Sequence, residues 1–273
     1  MELDFSRDYV FYNGIYDFLG PSKLKEFEKS GVDLELDYAW NYDLDPLITK
    51  TIIHEWKYLD QQVSRFVFAG AKSILSTGGG GSSRTHQYLS VETDEFVVVN
   101  TGIWDLENAK LPKSEITTYL IRSAAEDLPI LDCQFNAVEI TATLDHVKDP
   151  KKVIEESYRV LTKGGLIGVT LGNSHSWYRK LLSFLRVEIK DNHGHHHNFH
   201  FTVADVETLL SKAGFTDIKT VGTAFLKLPK VIDKRVKNPV LLSIHRFVSN
   251  SVLKRIFGNR HGGMFLIYAT KPS

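Results

Sequence analysis

Apolar positions change their period along this chain. Ile48, Ile52, Trp56, Leu59, Val63 and Phe66 recur at helical spacing, and Asp45-Pro46 ahead of them reads as an N-cap followed by the first helical residue. From residue 73 the pattern becomes short apolar runs between polar turns. Ile74-Leu75 predicts a strand, and Phe96-Val97-Val98-Val99 predicts one buried on both faces, since four such residues in a row leave no polar side. Further strands are expected at 118–121, 135–140, 166–171, 218–221 and 264–269. Helices are expected between them at 84–89, 104–111, 150–161 and 202–212. The third of these carries Val153, Ile154, Ser157, Tyr158 and Leu161 on one face, with Gly164-Gly165 as its stop. The last starts at a Thr202 cap and ends before Gly214. Strands alternating with helices predict a mostly parallel sheet covered on both faces. Residues 1–72 read as an aromatic-rich helical extension to a domain at 73–273. Its Tyr9, Phe11, Tyr12, Tyr16, Phe18, Tyr38, Trp40 and Tyr42 either anchor a helix packed on the sheet or form a lid over a pocket.

Composition narrows the picture. At 273 residues and 42% hydrophobic, the chain buries a full core. Lys+Arg and Asp+Glu both number 33, so no overall field points to nucleic acid. Cys133 is the single cysteine, which excludes an internal disulfide and fits a reducing, cytoplasmic compartment. The first residues lack the basic and apolar regions of a signal peptide, and no apolar run is long enough to suggest a membrane span. Local charge is less even. Residues 230–260 hold eight Lys/Arg against Asp233 alone, interleaved with Val240, Leu241, Ile244, Phe247, Val248, Leu253, Ile256 and Phe257. This predicts a basic helical insertion at about 229–258, serving as a surface helix, a homodimer contact or a peripheral contact with an anionic membrane.

The candidate chemistry centres on Ser73-Ile74-Leu75-Ser76-Thr77-Gly78-Gly79-Gly80-Gly81-Ser82-Ser83, an apolar strand running into four glycines. Glycine accepts positive φ and lets backbone approach a ligand closely. A strand, a Gly-rich turn and a helix open many nucleotide-binding α/β units. The dinucleotide pattern Gly-x-Gly-x-x-Gly fails, because Ser83 stands at its third glycine and Asn100 where its acid is expected. Eleven histidines are present, and five lie at His193, His195, His196, His197 and His200. No cysteine is near, and consecutive histidines do not readily all face one ion, so this reads as a solvated or pocket-edge loop and no metal site is assigned. His146, just after the fourth strand, is either a turn residue with local hydrogen bonds or a general base. His175 and Trp177 past the fifth strand are weaker candidates of the same kind.

Four segments, in order, carry a resemblance. They are the glycine stretch; Ala124-Ala125-Glu126-Asp127-Leu128-Pro129 followed by 133–138; Leu144-Asp145-His146-Val147 with Asp149-Pro150 and 159–165; and His200-Phe201-Thr202 through Ala213-Gly214-Phe215. Together they resemble the class I S-adenosylmethionine-dependent methyltransferases, in their small-molecule branch, over about residues 70–222 and the final strand. The resemblance implies a Rossmann-like, mostly parallel seven-stranded sheet with an antiparallel last strand. It implies S-adenosylmethionine bound along Ser76, Thr77, Gly78, Gly79, Gly80 and Ser82, with Asn100 and Thr101 at the ribose, Ala125 and Glu126 at the adenine, and Glu139, Ile140 and Thr141 beside them. His146 is then the candidate catalytic residue. The acceptor is expected to be a small molecule or glycan/lipid-linked; no motif here encodes it. Four positions that are acidic in the family are neutral: Ser76, Asn100, Ala124 and Asn136. The alternative is therefore a non-catalytic binding module of the same fold with weakened or lost cofactor binding; if the cofactor site is present, Asn100→Asp is expected to tighten binding.

Overall fold

A computed structural model describes residues 1–20, 25, 50–80, 87, 89, 92–112, 115–186, 199–228, 230–233, 235–236 and 238–273. Several expectations lie outside the described residues: the helix at 84–89 except for residues 87 and 89, Tyr38, Trp40, Tyr42, the Asp45-Pro46 cap, Ser82 and His193 to His197.

The centre is a sheet of nine strands: β1 (Val10–Tyr12), β2 (Ile15–Asp17), β3 (Ser73–Thr77), β4 (Glu95–Asn100), β5 (Thr117–Arg122), β6 (Phe135–Thr141), β7 (Leu161–Gly172), β8 (Thr216–Thr223) and β9 (Met264–Thr270). Their order is β1-β2-β5-β4-β3-β6-β7-β9-β8. Strands β5, β4, β3, β6 and β7 are parallel, and β9 lies antiparallel between β7 and β8. The expected Rossmann-like α/β class is present, with two strands more than the expected seven.

The two extra strands correct the reading of the N-terminus as helical. β1 and β2 form an antiparallel hairpin, and β2 adds to the sheet by pairing parallel with β5. The cause is local. Asn13 (φ 48°) and Gly14 (φ 80°) occupy the two positions of a tight turn that demands positive φ, and Asn-Gly is the dipeptide best suited to it. Tyr12-Asn13-Gly14-Ile15 carries that signal in the sequence.

Helices cover both faces. On one, α1 (Lys50–Phe66) sets Leu59 and Val63 against Ile74, Phe96, Val98 and Leu266. This is the packing role expected of that helix. A short α2 (Ile103–Glu107) follows β4 on the same side through Leu106. On the other face, α3 (Pro150–Val160) and α5 (Val203–Lys212) bring Val153, Ile154, Val206 and Leu210 onto Leu75, Val97 and Val138. Between them in sequence, α4 (Trp177–Phe184) buries none of its side chains. The caps follow the chemistry of their residues: Asp149 accepts from the Lys152 amide ahead of Pro150, and Thr202 with Asp205 forms a capping box.

The expected glycine stop of α3 is not where the helix ends. Leu161 is already extended, and Gly164-Gly165 lies inside β7 where its register to β6 shifts. Lys271, only 8% exposed, closes the helix instead, its Nζ donating to the carbonyls of Tyr158 (2.8 Å) and Leu161 (2.7 Å). Lys271→Met keeps the stem and removes these charged donors. It is expected to lower unfolding free energy by about 1–3 kcal/mol in denaturant titration. Ligand binding should be unchanged, because this cap sits at the amino edge of β7.

Candidate active site

After β3 the chain moves to β4 and β5 on one side and returns to β6 and β7 on the other. Such a reversal opens a crevice at the carboxyl ends of the strands, the usual ligand site of open α/β sheets. That edge gathers Thr77 and Gly78 from β3, Asn100 and Thr101 from β4, the loop after Arg122 from β5 and Thr141 from β6.

The turn after β3 needs its glycines. Gly78 has φ 74°, and a Cβ there would run into the Thr143 side chain. One on Gly79 would run into Ser76 Oγ. Gly80 has φ 149°, and its Cβ would meet Asp105 Cβ at 2.7 Å and the Asp105 carbonyl oxygen at 2.8 Å. The Gly78 amide donates to Val99 O at 2.8 Å. Asn100 braces the turn from the next strand: Nδ2 donates to Gly79 O (2.7 Å), while Oδ1 accepts from the Gly102 amide (2.9 Å). This reverses the expectation for Asn100→Asp. A carboxylate loses the donor and sets a negative oxygen against the Gly79 carbonyl.

The acid missing at Ser76 stands one strand away. Glu139 is fully buried and in register with Ser76. Its Oε1 accepts from Ser76 Oγ at 2.6 Å and its Oε2 from Thr141 Oγ1 at 3.2 Å. Beside them the Thr77 hydroxyl, 1% exposed, has no hydrogen-bond partner among the described residues. Buried hydroxyls are rarely left so, and an orphan at this strand end fits a ligand group. Asn136 has a different task. Its Oδ1 accepts from the Lys72 and Ser73 amides at the amino end of β3, so its neutrality does not bear on the crevice.

The loop after β5 is rigidly held. The Ser123 amide donates to Asn100 O (3.1 Å), and Ala124 and Ala125 are buried. Glu126 Oε1 accepts the Lys148 amide at 2.9 Å, tying this loop to the one after β6. Arg159 bonds Ile130 O (2.7 Å), Leu128 O (3.1 Å) and Glu156 (2.8 Å). The Glu156 hydrogen bond, more than offsetting burial, makes its guanidinium an even weaker acid than usual. The N-terminal hairpin braces the same edge. Arg122 Nε donates to Thr101 O (2.9 Å) and Nη1 to Asp17 Oδ2 (3.1 Å), and Arg7 reaches Asp127 Oδ1 (2.8 Å). Burial, then the Asp17 charge, raises the Tyr12 phenol pKa.

His146 lies in the turn after β6, its side chain partly exposed and Nε2 3.8 Å from Asp145 Oδ1. Asp145 O accepts the Phe199 amide (3.3 Å), and the Ser174 amide donates to Phe201 O (3.0 Å). Three loops therefore converge, carrying His146, His175 and His200. Trp177 is a packing residue: its indole N–H donates to Phe225 O (2.7 Å) and its ring stacks on Phe257 at 4.5 Å. Among the described residues no cluster of three or more His, Cys, Asp or Glu could hold a metal. A separate groove of about 430 Å³, lined by Leu3, Phe5, Tyr16, Tyr119 and Leu131, opens on the side where the Met1 ammonium pairs with Glu95 at the amino end of β4.

Residues 77–169 match the family model described as "Methyltransferase domain". An uncharacterised protein of Methanocaldococcus jannaschii is 33% identical over 119 residues, covering 43% of this chain and 56% of that protein. The ubiquinone/menaquinone biosynthesis C-methyltransferase of Vibrio parahaemolyticus is 30% identical over 98 residues, covering 34% of this chain and 38% of that enzyme. The chain thus spans about half or less of the length of these curated relatives. Among solved structures, an S-adenosylmethionine-dependent methyltransferase of Thermotoga maritima gives a TM-score of 0.54 at 21% identity, covering 81% of this chain and 91% of that one. The [4+2]-cyclase SpnF gives 0.52 at 16% identity, covering 79% and 80%. These two likenesses speak for the fold. The matched segment and the strand order are similar to those of class I S-adenosylmethionine-dependent methyltransferases.

Two substitutions test the turn. Gly80→Val is expected to abolish S-adenosylhomocysteine binding in calorimetry, since it adds both a clash and a disfavoured φ. Asn100→Asp is expected to weaken that binding and to cost about 1–3 kcal/mol of stability; a tighter complex would show that the brace yields readily.

Proposed function

We propose that the protein transfers the methyl group of S-adenosylmethionine to a small-molecule or glycan/lipid-linked acceptor. The observation that supports this most is the Glu139 carboxylate, buried beside the glycine turn at the point where the strand order reverses. A negative charge there suits a cofactor whose ammonium and sulfonium are both positive. Glu139 and Thr77 would take the amino-acid end, with the amides of the glycine turn toward its carboxylate. Asn100 and Thr101 would flank the ribose, and the Ala125-Glu126 loop would flank the adenine.

Bound there, S-adenosylmethionine supplies a methyl group activated by a positive sulfur. The protein's part is chiefly to position, because in-line displacement rewards a fixed approach. The loops at 142–149, 173–176 and 199–202 would admit the acceptor and exclude water. His146 would take a proton from an acceptor hydroxyl or amine, with Asp145 orienting the ring. A cytoplasmic setting belongs to the same proposal; among the described residues no helix is long and apolar enough to cross a membrane. One observation favours the second reading, a non-catalytic module: both polar ends of Asn100 are already engaged by backbone.

Calorimetry with S-adenosylhomocysteine separates the two. Wild-type protein is expected to bind, and Glu139→Gln to bind about tenfold or more weakly through loss of a charge-assisted contact. His146→Ala is expected to leave this binding unchanged while lowering transfer of labelled methyl to a cell extract. Absence of binding to wild type would favour the non-catalytic module.

A further inference from the structure

The helical insertion is amphipathic the wrong way round for a helix that only packs on its own protein. It consists of a single turn, α6 (Lys230–Asp233), then α7 (Pro239–Phe247), a π turn at Val248–Leu253 and α8 (Lys254–Phe257). The last three run on without a break, since the capping residues between them are helical.

Beside the buried Leu242, its inward face carries polar groups. His245 Nε2 lies 3.0 Å from Leu226 O, and Ser249 Oγ accepts the Phe225 amide at 2.9 Å. Asn250 Nδ2 donates to Glu55 on α1 at 2.7 Å, and its Oδ1 accepts from Thr223 at 2.9 Å. The outward face carries Val240 (64% exposed), Leu241 (51%), Ile244 (53%), Phe247 (63%), Val252 (42%) and Ile256 (66%). Phe247 and Val252 are five residues apart, one π turn, so the wider turn keeps the apolar stripe outward while Ser249 and Asn250 turn in. An ordinary surface helix buries its apolar stripe and shows its polar one. Trp177 stacked on Phe257 joins α4 to this region, and α4 adds exposed Leu181, Phe184 and Leu185.

Charge selects the occupant. Residues 230–260 contain eight Lys/Arg in sequence, and their one acid, Asp233, is buried and bonded to Thr51; among the described cations Arg255 is exposed, whereas Arg260 pairs with Glu207. A second copy docked by a two-fold axis would set this net-basic segment against itself. An anionic lipid surface offers hydrocarbon to the stripe and counter-charge to its flanks. We propose that α7, the π turn and α8 form a peripheral membrane-binding surface that lays its apolar stripe into an anionic leaflet. The proposal stands independently of the methyltransferase activity.

Co-sedimentation of the whole protein with phosphatidylcholine vesicles, with and without phosphatidylglycerol, tests it. Binding is expected only to the anionic vesicles, weakening as salt is added. The double variant Ile244→Glu/Phe247→Glu should lower it about tenfold or more with an unchanged melting temperature, because both side chains are exposed. Arg255→Glu, a single exposed charge, should weaken it less and flatten the salt dependence. The proposal is overturned if anionic vesicles do not bind, if the double variant binds as wild type does, or if sedimentation velocity shows a dimer that the double variant dissolves.

Discussion

Parallel pairing on both sides of β3 is the constraint on which the rest of the molecule depends. Ser76 is in register with Val98 on one side and with Glu139 on the other. That double pairing buries β3 completely from Ile74 to Thr77 and brings the carboxyl ends of its neighbours to one edge. The glycine turn has to leave the sheet between two occupied strands, which is why Cβ atoms at Gly78, Gly79 and Gly80 would strike the loop after β6, β3 and α2 in turn. The same pairing lets Glu139 stand beside Ser76, so a carboxylate is present at the crevice although β3 itself carries none. A buried carboxylate needs hydrogen-bond donors, and the hydroxyls of Ser76 and Thr141 supply them to Glu139.

A second polar centre joins the elements outside the common core. Glu55 on α1 accepts from Thr223, the Ala224 amide and Asn250. One buried carboxylate thereby links the N-terminal helix, the end of β8 and the helical insertion. Burial of a charge is costly without such partners, so the insertion is held in a defined orientation and not merely draped on the surface. That orientation is what leaves the apolar stripe facing outward.

The fold does not by itself choose a reaction. A cyclase shares the architecture at a TM-score of 0.52, a reminder that residues at the mouth, not the sheet, select the reaction. Here the mouth is formed by loops tied together through Asp145–Phe199 and Ser174–Phe201 backbone bonds, with histidines on each.

Local pattern determined much of this protein. The alternation of apolar runs predicted the parallel sheet, and Thr202 with Gly214 bounded α5, because period and caps act within a few residues. The Asn13-Gly14 turn is equally local, a dipeptide suited to positive φ between two aromatic runs. What depends on residues far apart in sequence could not be read that way. Strand register decided that Glu139 meets Ser76, 63 positions away, and that Asn136 serves the amino end of the sheet. Tertiary packing likewise made Lys271, not Gly164-Gly165, the end of α3, because a buried ammonium reached two carbonyls before the glycines were needed. It also decided which side of the basic helix faces out: periodicity shows that a helix has two faces, and only the partners beneath it determine which one is buried.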